Sequence, residues 1–227
     1  TSVTEYKDAG YLPEALLNYL LRLGWSYKDQ EVFSRQQMIE LFDLTQVNKA
    51  AAAFNPDKLK WLNQQYLINS EPQRLAGLLA FQFQQLDVDI TTGPKLLDVV
   101  QAQQGRAHTL RELAEISSFF YQEFTQYEAK AAIKHLNAKT YPLLETALSA
   151  LTALTTWSPE TIHQAVEQVA TQTGVKLGKV AQPLRVAVVG RAASPGIDIT
   201  LSLVGKKICL QRIERALKYI TQTNLAS

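Results

Sequence analysis

Apolar residues recur at every third or fourth position along most of the chain, the spacing that places them on one face of an α-helix. On this pattern we predict helices over residues 13–23, 71–86, 94–103, 128–136 and 141–154. Their lengths are typical of globular helices, and polar residues separate them.

Residues with a preference for helix ends define further boundaries. Pro13 and Pro56 suit the first helical position, and Ser34 stands three residues before Gln37, the spacing of a capping box. The same signals predict helices that begin at Thr109, at Ser158–Pro159 and at Ser194–Pro195, the last two ending at Gly174 and Gly205, and a final helix over 206–220.

Strand signals are few. Residues 185–189, RVAVV, favour a strand by propensity, but Gly190 and the helical surroundings argue against one. We therefore predict an all-α chain, with joints between sub-domains near residue 70 and near residues 90–94, where DITTGP interrupts the pattern.

The net charge of +2 is unevenly distributed. From Gly174 onward nine Lys and Arg face only Asp198 and Glu214, a net charge of +7, whereas the first 173 residues carry −5. A basic end on a nearly neutral chain indicates a polyanionic partner. An ordinary solvated face on the last helix explains the same residues, so this observation leaves both interpretations open.

Catalytic motifs are absent from the sequence. It contains no phosphate-binding glycine loop and no G-x-S-x-G nucleophile turn, and its three histidines lie far apart. The single cysteine, Cys209, stands in an apolar stretch and is expected to be buried. We predict no catalytic residue, no metal site and no cofactor in this chain.

The chain also lacks targeting signals. No apolar run is long enough for a membrane span, and no secretory leader precedes the first helix. We therefore expect a cytoplasmic protein. Because the chain begins at Thr1 inside a polar segment, we also expect that part of a larger protein is missing.

The segment 174–197 has residues suited to nucleic-acid recognition. Lys176 and Lys179 could face phosphates, while Gln182 and Arg185 could present an amide and a guanidinium to base edges. Ser194 would add a hydroxyl at a helix N-terminus, beside free backbone N–H groups.

Two prolines, Pro183 and Pro195, are expected to stiffen turns in this segment and so to reduce the entropy lost on binding. A plain loop with capping residues and a surface arginine accounts for the same sequence, and the residues alone do not exclude it.

A second segment, residues 54–66, offers weaker signals. Lys58, Lys60 and Asn63 could contact an RNA backbone, or they could be ordinary solvated residues. Trp61 and Tyr66 are more typical of packing than of base stacking.

Four segments, taken in chain order, resemble the bacterial glutamyl-tRNA synthetase family. The resemblance extends over essentially the whole chain, and LPEALLNYLLRLGW and KVAQPLRVAVVG are its most specific parts. The segments are GYLPEALLNYLLRLGW at 10–25, FNPDKLKWLNQQYL at 54–67, SFFYQEF at 118–124 and GVKLGKVAQPLRVAVVGRAASPGIDITLSLVGKK at 174–207.

The resemblance implies a small helical stem-contact region at residues 1–70 and a multi-helix anticodon-binding domain at 71–227, with a joint between two sub-domains near 137–174. It implies glutamate tRNA as partner, no DNA and no membrane, and a monomer. ATP and magnesium would belong to the catalytic domain of the parent ligase, whose HIGH-type and KMSKS-type motifs are missing, so the chain alone would be inactive.

Individual residues carry over by position. Arg106 resembles the arginine that recognises the third anticodon base in discriminating members, although Gln104 and Gly105 before it depart from the expected sequence. Arg185 resembles the arginine associated with the first anticodon base. Ser194 and Ile197 stand where a hydroxyl and an apolar residue are expected near that base.

The resemblance assigns Gln182 to the same base, but it is weaker at this position. With Arg106 present, we hypothesise a discriminating enzyme that favours glutamate tRNA over glutamine tRNA. The alternative function is a helical protein-interaction domain without RNA binding, which predicts an exposed apolar patch instead.

Overall fold

The computed structural model describes residues 2–48 and 52–225, in which thirteen α-helices and no β-strand confirm the all-α prediction. Among these residues no helix combines the length and the apolar content that a membrane span requires. The helices are α1 (Val3–Asp8), α2 (Pro13–Gly24), α3 (Arg35–Leu41), α4 (Pro56–Asn69), α5 (Pro72–Gln85), α6 (Leu96–Gln103), α7 (Leu110–Ser117), α8 (Ala129–His135), α9 (Tyr141–Thr152), α10 (Pro159–Thr173), α11 (Leu177–Val189), α12 (Ile197–Val204) and α13 (Lys206–Leu225).

The chain forms two compact units. Unit 1 comprises the described residues of Thr1–Ile90 and Gln103–Ser118, and unit 2 those of Thr91–Ala102 and Phe119–Ser227. Unit 1 therefore holds α1–α5 and α7, and unit 2 holds α8–α13 with most of α6. The domain limits predicted from the sequence, 1–70 and 71–227, stay a prediction.

In unit 1, α2 packs against α4, and a buried amide fixes the segment that follows α2. Tyr19 of α2 packs with Leu59 and Leu62 of α4. Asn18, fully buried, accepts a hydrogen bond from the Phe33 N–H at 2.8 Å and donates one to the Glu31 carbonyl at 2.9 Å. Since a buried amide is costly unless its bonds are made, this pairing specifies one path for the loop.

In unit 2, the central helix is α11, which packs against α8, α9, α10, α12 and α13. Eight of its residues are buried: Val180, Ala181, Pro183, Leu184, Val186, Ala187, Val188 and Val189. Because this helix is buried on most of its sides, its polar residues Lys179, Gln182 and Arg185 form only a narrow stripe, which we did not interpret as a helix signal. The weak strand signal of residues 185–189 was misleading, because tertiary packing overrides the β propensity of Val.

Most helix boundaries follow the predicted signals. Capping boxes are present at Ser34–Gln37 and at Ser158, and Gly174 ends α10 in the left-handed conformation, with φ of +69°. The helix predicted to open at Ser194–Pro195 begins instead at Ile197, with Gly196 at its N-cap, and α13 extends beyond residue 220. Cys209 is fully buried, as predicted.

Gly10, which follows α1 in the chain, contacts the first residues of α7 within unit 1. Its carbonyl accepts a hydrogen bond from the Leu110 N–H at 2.8 Å, which satisfies one of the donors that a helix N-terminus leaves open. The residue has φ of +84°, and a Cβ built on it would lie 2.3 Å from the backbone nitrogen of Arg111. Only glycine fits this contact, because both the conformation and the space exclude a side chain.

We predict that Gly10→Ala destabilises the protein by about 3 kcal/mol or more, since strain at positive φ adds to a backbone clash. Gly77→Ala is the matched control in the same unit. Gly77 lies inside α5 with open space around its Cβ position, so this change should stabilise by about 0.5–1 kcal/mol. Urea unfolding measures both, and equal free energies of unfolding for the two variants would contradict the account.

Candidate nucleic-acid interface

The polar residues of α11 lie on one side of an otherwise buried helix. Lys179, Gln182 and Arg185 recur every three residues, a spacing that keeps side chains on neighbouring positions of a helix surface. Lys179 is exposed, whereas Gln182 and Arg185 are half-buried. Lys176, at the N-cap, is exposed at the same end of the helix as Lys179.

Pro183 lies inside α11 and is buried, so the expectation that it stiffens a turn is wrong. A proline has no N–H to donate to the carbonyl four residues earlier, here that of Lys179. The helical hydrogen bond at that carbonyl is therefore missing on the side of the helix where the polar residues emerge.

Arg185 is held by the turn that precedes α12. Its Nε donates a hydrogen bond to the Ser194 Oγ at 2.8 Å, and that hydroxyl donates to the Pro195 carbonyl at 2.8 Å. The Thr200 hydroxyl lies 3.1 Å from the Ser194 Oγ. Because Ser194 is 8% exposed and Thr200 fully buried, the network orients the guanidinium from inside the unit.

The structure therefore brings Arg185 and Ser194 together, but it gives the serine hydroxyl partners within unit 2. Ser194 does not cap α12, and its Oγ is occupied by the network around Arg185. Ile197 is 7% exposed and belongs to the core of unit 2.

The last turn of α8, a helix that packs against α11, carries Lys134 and His135. The pKa of His135 is lowered first by burial and then by the positive charges of Lys134, Lys179 and Arg185. These effects favour the neutral imidazole, and the positive charges of Lys134, Lys179 and Arg185 produce a positive field on this side of α11. Lys134 and His135 were not identified from the sequence, because they stand more than forty residues before α11 in the chain.

Arg106 lies in unit 1, at the end of the 3-10 turn Gln104–Arg106. It is exposed, and among the described residues its side chain has no hydrogen bond or ion pair. Two amides connect the turn to α4, since Gln104 donates to the Ile68 carbonyl at 3.1 Å and Gln64 donates to the Gly105 carbonyl at 3.4 Å. A shared surface of Arg106 with the residues of unit 2 stays a prediction.

The residues singled out in α4 have different surroundings. Lys58 is exposed and pairs with Glu31 at 3.1 Å, and Lys60 is exposed. Asn63 is fully buried, where it accepts from the Leu12 N–H at 2.8 Å and donates to the His108 carbonyl at 2.6 Å. With both ends of its amide used inside unit 1, Asn63 has no surface to offer to a phosphate.

The two aromatic residues of α4, Trp61 and Tyr66, differ in how far they are buried. The Tyr66 hydroxyl lies within hydrogen-bond distance of the Asn18 Oδ1 and of the Phe33 carbonyl, and burial raises the pKa of Tyr66 to about 12. Trp61 is 40% exposed. Tyr66 is therefore a structural residue of unit 1, in agreement with the packing role expected for it.

The basic end of the chain is not a single charged surface. Arg212, 3% exposed, donates to the Glu123 carboxylate at 3.1 Å, to the Val188 carbonyl at 2.8 Å and to the Gln122 carbonyl at 3.1 Å. Arg215 pairs with the other oxygen of Glu123 at 2.9 Å. These cations hold residues 122–124, the end of the segment SFFYQEF, against α13.

Two further contacts support this structural role. The Arg215 guanidinium lies 4.3 Å from the centre of the Phe124 ring, within the range of a cation–π interaction. Lys206, at the first position of α13, donates to the carbonyls of Thr152 and Leu154 at 2.8 and 2.6 Å. Three of the nine basic residues after Gly174 therefore stabilise the fold.

Two family models match the chain. The model of the Anticodon binding domain matches residues 62–217, and the model of the catalytic domain of class I tRNA synthetases (E and Q) matches residues 1–61. The curated Glutamate–tRNA ligase 1 of Alkalilimnicola ehrlichii is 51% identical over 219 residues, which are 96% of this chain and 46% of that protein. The chain thus spans about half the length of this relative.

Solved structures of two related proteins have the same fold. One is the crystal structure of a glutamate tRNA ligase from Elizabethkingia meningosepticum in complex with its amino acid, with a TM-score of 0.84 and 30% identity over 95% of this chain and 43% of that chain. The other is a glutamate-tRNA synthetase from Elizabethkingia anophelis, with a TM-score of 0.81 and 30% identity over 94% of this chain and 42% of that chain.

We predict that Arg212→Met lowers the free energy of unfolding by about 2–4 kcal/mol, because the buried carbonyl of Val188 and the part-buried carbonyl of Gln122 lose their donor. Lys207→Met is the control on the same helix. Lys207 is exposed, so its loss should change stability by no more than about 0.5 kcal/mol. Chemical denaturation gives the free energy of unfolding of both variants. Similar losses of stability in the two would contradict the distinction between the structural Arg212 and the surface Lys207.

Proposed function

The chain belongs to the anticodon-binding domain family of the glutamate–tRNA ligases, and on this premise we propose that it binds the anticodon stem and loop of glutamate tRNA. The observation that carries the proposal is the side of α11 where Gln182 and Arg185 lie beside the exposed, positively charged Lys179. Directional donors specify bases, and nearby cations attract the phosphate backbone.

Arg185 would be the principal base contact of unit 2. A guanidinium presents its donors in a planar fork, and the bond from Nε to Ser194 fixes the plane of that fork. Ser194 and Thr200 would act through Arg185, as positioning residues, since both hydroxyls are buried. Gln182, one turn earlier on α11, would contribute its amide to the same base.

The role of the cations differs from that of Arg185. Lys176 and Lys179 are exposed, and we propose that they neutralise phosphates without distinguishing bases. Lys58 and Lys60 of α4 would make similar contacts in unit 1. Lys58 would have to exchange its ion pair with Glu31 for a phosphate, which is inexpensive because exposed pairs contribute little.

In the complete ligase, we propose that glutamate is activated with ATP and magnesium in the catalytic domain and then esterified to the 3′ end of the tRNA. This chain would bind the anticodon end of the tRNA. We propose that it does so in the cytoplasm, as a monomer and without a bound cofactor.

A protein-interaction role has one observation in its favour. In unit 1, an apolar groove is lined by Val3, Leu16, Leu78 and Phe81, of which Val3 is 76% exposed. Such a surface suits contact with protein rather than with RNA. The groove belongs to α1, α2 and α5 and leaves the residues of α11 unexplained, so we prefer RNA binding for unit 2.

We predict that Arg185→Ala weakens binding of the glutamate tRNA anticodon stem-loop by about 1–3 kcal/mol, five- to 150-fold, because a directional contact to a base is lost. With an RNA in which the contacted base is replaced, the unmodified protein and Arg185→Ala should differ less in affinity, because neither then makes the contact to that base. Fluorescence anisotropy at two salt concentrations gives the affinities, and circular dichroism checks the fold. Unchanged base selectivity in Arg185→Ala would refute the assignment.

We also propose that Arg106 makes the enzyme discriminate between tRNAs. In that case labelled glutamate tRNA should bind more tightly than glutamine tRNA, and Arg106→Gln should reduce the difference with little effect on stability, because Arg106 is exposed. Equal affinities of the unmodified chain for both tRNAs would exclude the discriminating role.

A further inference from the structure

A pocket in unit 1 combines an apolar floor with charged walls. It is formed by α2, α4 and nearby loop residues, and its volume is about 100 Å³, which suits a small molecule or a single base rather than a helix. Tyr19 belongs to the floor, Arg22, Glu31 and Lys58 are the charged residues, and Trp61 also contributes to the lining. We call this site the Trp61 pocket.

Trp61 leaves part of its ring in solvent beside these charges. Its side chain is 40% exposed, and among the described residues no aromatic ring or cation stacks on the indole. The other large ring of the pocket, Tyr19, is 3% exposed and accepts a hydrogen bond from the Asn55 N–H at 2.6 Å. An open indole face of this kind is a surface on which an unstacked nucleobase can stack.

Arg22 lines the pocket with donors that have no acceptor. Its side chain is only 19% exposed, and in the part of the chain that the structure describes Nε and Nη1 are buried without a hydrogen-bond partner. Nη2 lies 3.9 Å from the Glu31 Oε1, beyond hydrogen-bond distance. Because buried donors without acceptors are costly, a ligand that offers a carbonyl or a ring nitrogen would be favoured here.

Glu31 supplies the opposite kind of group to the same pocket. Its Oε1 accepts a hydrogen bond from the Lys58 Nζ at 3.1 Å, whereas Oε2 meets no donor among the described residues. An ionised carboxylate only accepts, so it favours an amine on the ligand and repels an anion. With the acceptor and the guanidinium 3.9 Å apart, neighbouring atoms of one ligand edge can meet both groups.

We infer that the Trp61 pocket binds an unstacked nucleobase that carries an exocyclic amine next to a ring acceptor, as cytosine does. The ring would stack on Trp61, the amine would donate to Glu31, and the ring nitrogen and carbonyl would accept from Arg22. Uracil has the same size but presents a carbonyl to the carboxylate, so it should bind less well.

This contact recognises a base rather than a phosphate, and it lies in unit 1 rather than on α11. The choice of RNA as the natural source of the base rests on the proposed function, and a free nucleotide offers the same edge.

The indole N–H signals of the three tryptophans in proton–nitrogen correlation NMR test the inference. The whole chain would be titrated with cytidine and with uridine, uncharged nucleosides that exclude attraction of a phosphate. Cytidine should move the Trp61 signal, assigned with Trp61→Phe, with an affinity at least about fivefold above that of uridine. Trp25, 3% exposed, and Trp157, which donates to the Leu201 carbonyl at 3.0 Å, are the internal references and should not move.

Variants separate recognition of the base from simple occupation of the pocket. In Glu31→Gln the amide can donate or accept, so cytidine and uridine should bind with affinities equal within about twofold. Arg22→Met should weaken cytidine by about fivefold or more, because the donors are lost. Arg35→Met is the matched control, an exposed arginine on α3 that should leave both affinities unchanged. Circular dichroism and urea midpoints verify that each variant is folded.

Complete glutamate tRNA distinguishes the two sources of the base. If the tRNA supplies it, the tRNA should move the Trp61 signal, and the effect should weaken in Glu31→Gln. If a free nucleotide is the ligand, only the nucleosides should move the signal. Both results support the Trp61 pocket.

Three results would overturn the inference. They are a Trp61 signal that cytidine leaves in place over the millimolar range, equal affinities of the unmodified chain for the two nucleosides, and a preference for cytidine that survives in Glu31→Gln. The proposed function is tested separately, because the nucleosides need no anticodon. A chain that responds to cytidine but does not bind the anticodon stem-loop would refute the proposed function and keep the pocket.

Discussion

The packing of α11 against five other helices is the constraint on which the proposed site depends. Burial of its apolar residues fixes the helix in position and in rotation, because close-packed side chains leave no alternative arrangement. The few residues that are not buried, Lys179, Gln182 and Arg185 among them, must then emerge on one side. A rigid helix in the core is thus the support that a directional contact to a base requires.

The same constraint explains how Arg185 is oriented. Its Nε is bonded to a serine that is itself tied to the Pro195 carbonyl and approached by Thr200, all on the segment leading into α12. Since α12 also packs on α11, the turn and the arginine are held by the same core. Ser194 would therefore contribute to RNA binding by orienting the guanidinium of Arg185.

Charge in unit 2 has two separate functions. Arg212 and Arg215 hold residues 122–124 against α13 through Glu123, and Lys206 donates to the carbonyls of Thr152 and Leu154 at the end of α9. Those charges are compensated within the fold. Lys176 and Lys179 are exposed instead, and the positive field that they produce is the physical basis for assigning this surface to a polyanion.

The sequence predicted the helical fold well where helices are amphipathic or have clear caps, as at Pro13, Ser34 and Ser158. It missed α11, because the Val-rich residues 185–189 favour a strand by propensity and Pro183 lies inside the helix.

The site was predicted only in part, for the same kind of reason. Arg185 and Ser194 are close in sequence, and both belong to the segment 174–197, so the sequence alone could assign them to one site. Lys134 and His135 could not, since only the packing of α8 on α11 brings them near Arg185. Asn63 was assigned to the surface, but spacing along a helix does not reveal that an amide is buried and hydrogen-bonded.

The most direct test of the central claim is to locate the RNA on the protein by photocrosslinking. A glutamate tRNA that carries a photoreactive nucleotide in its anticodon would be irradiated with the chain, and the crosslinked peptides identified by mass spectrometry. We expect crosslinks within residues 177–197. Crosslinks confined to α9 and α10, or none above the level given by an unrelated tRNA, would contradict the account.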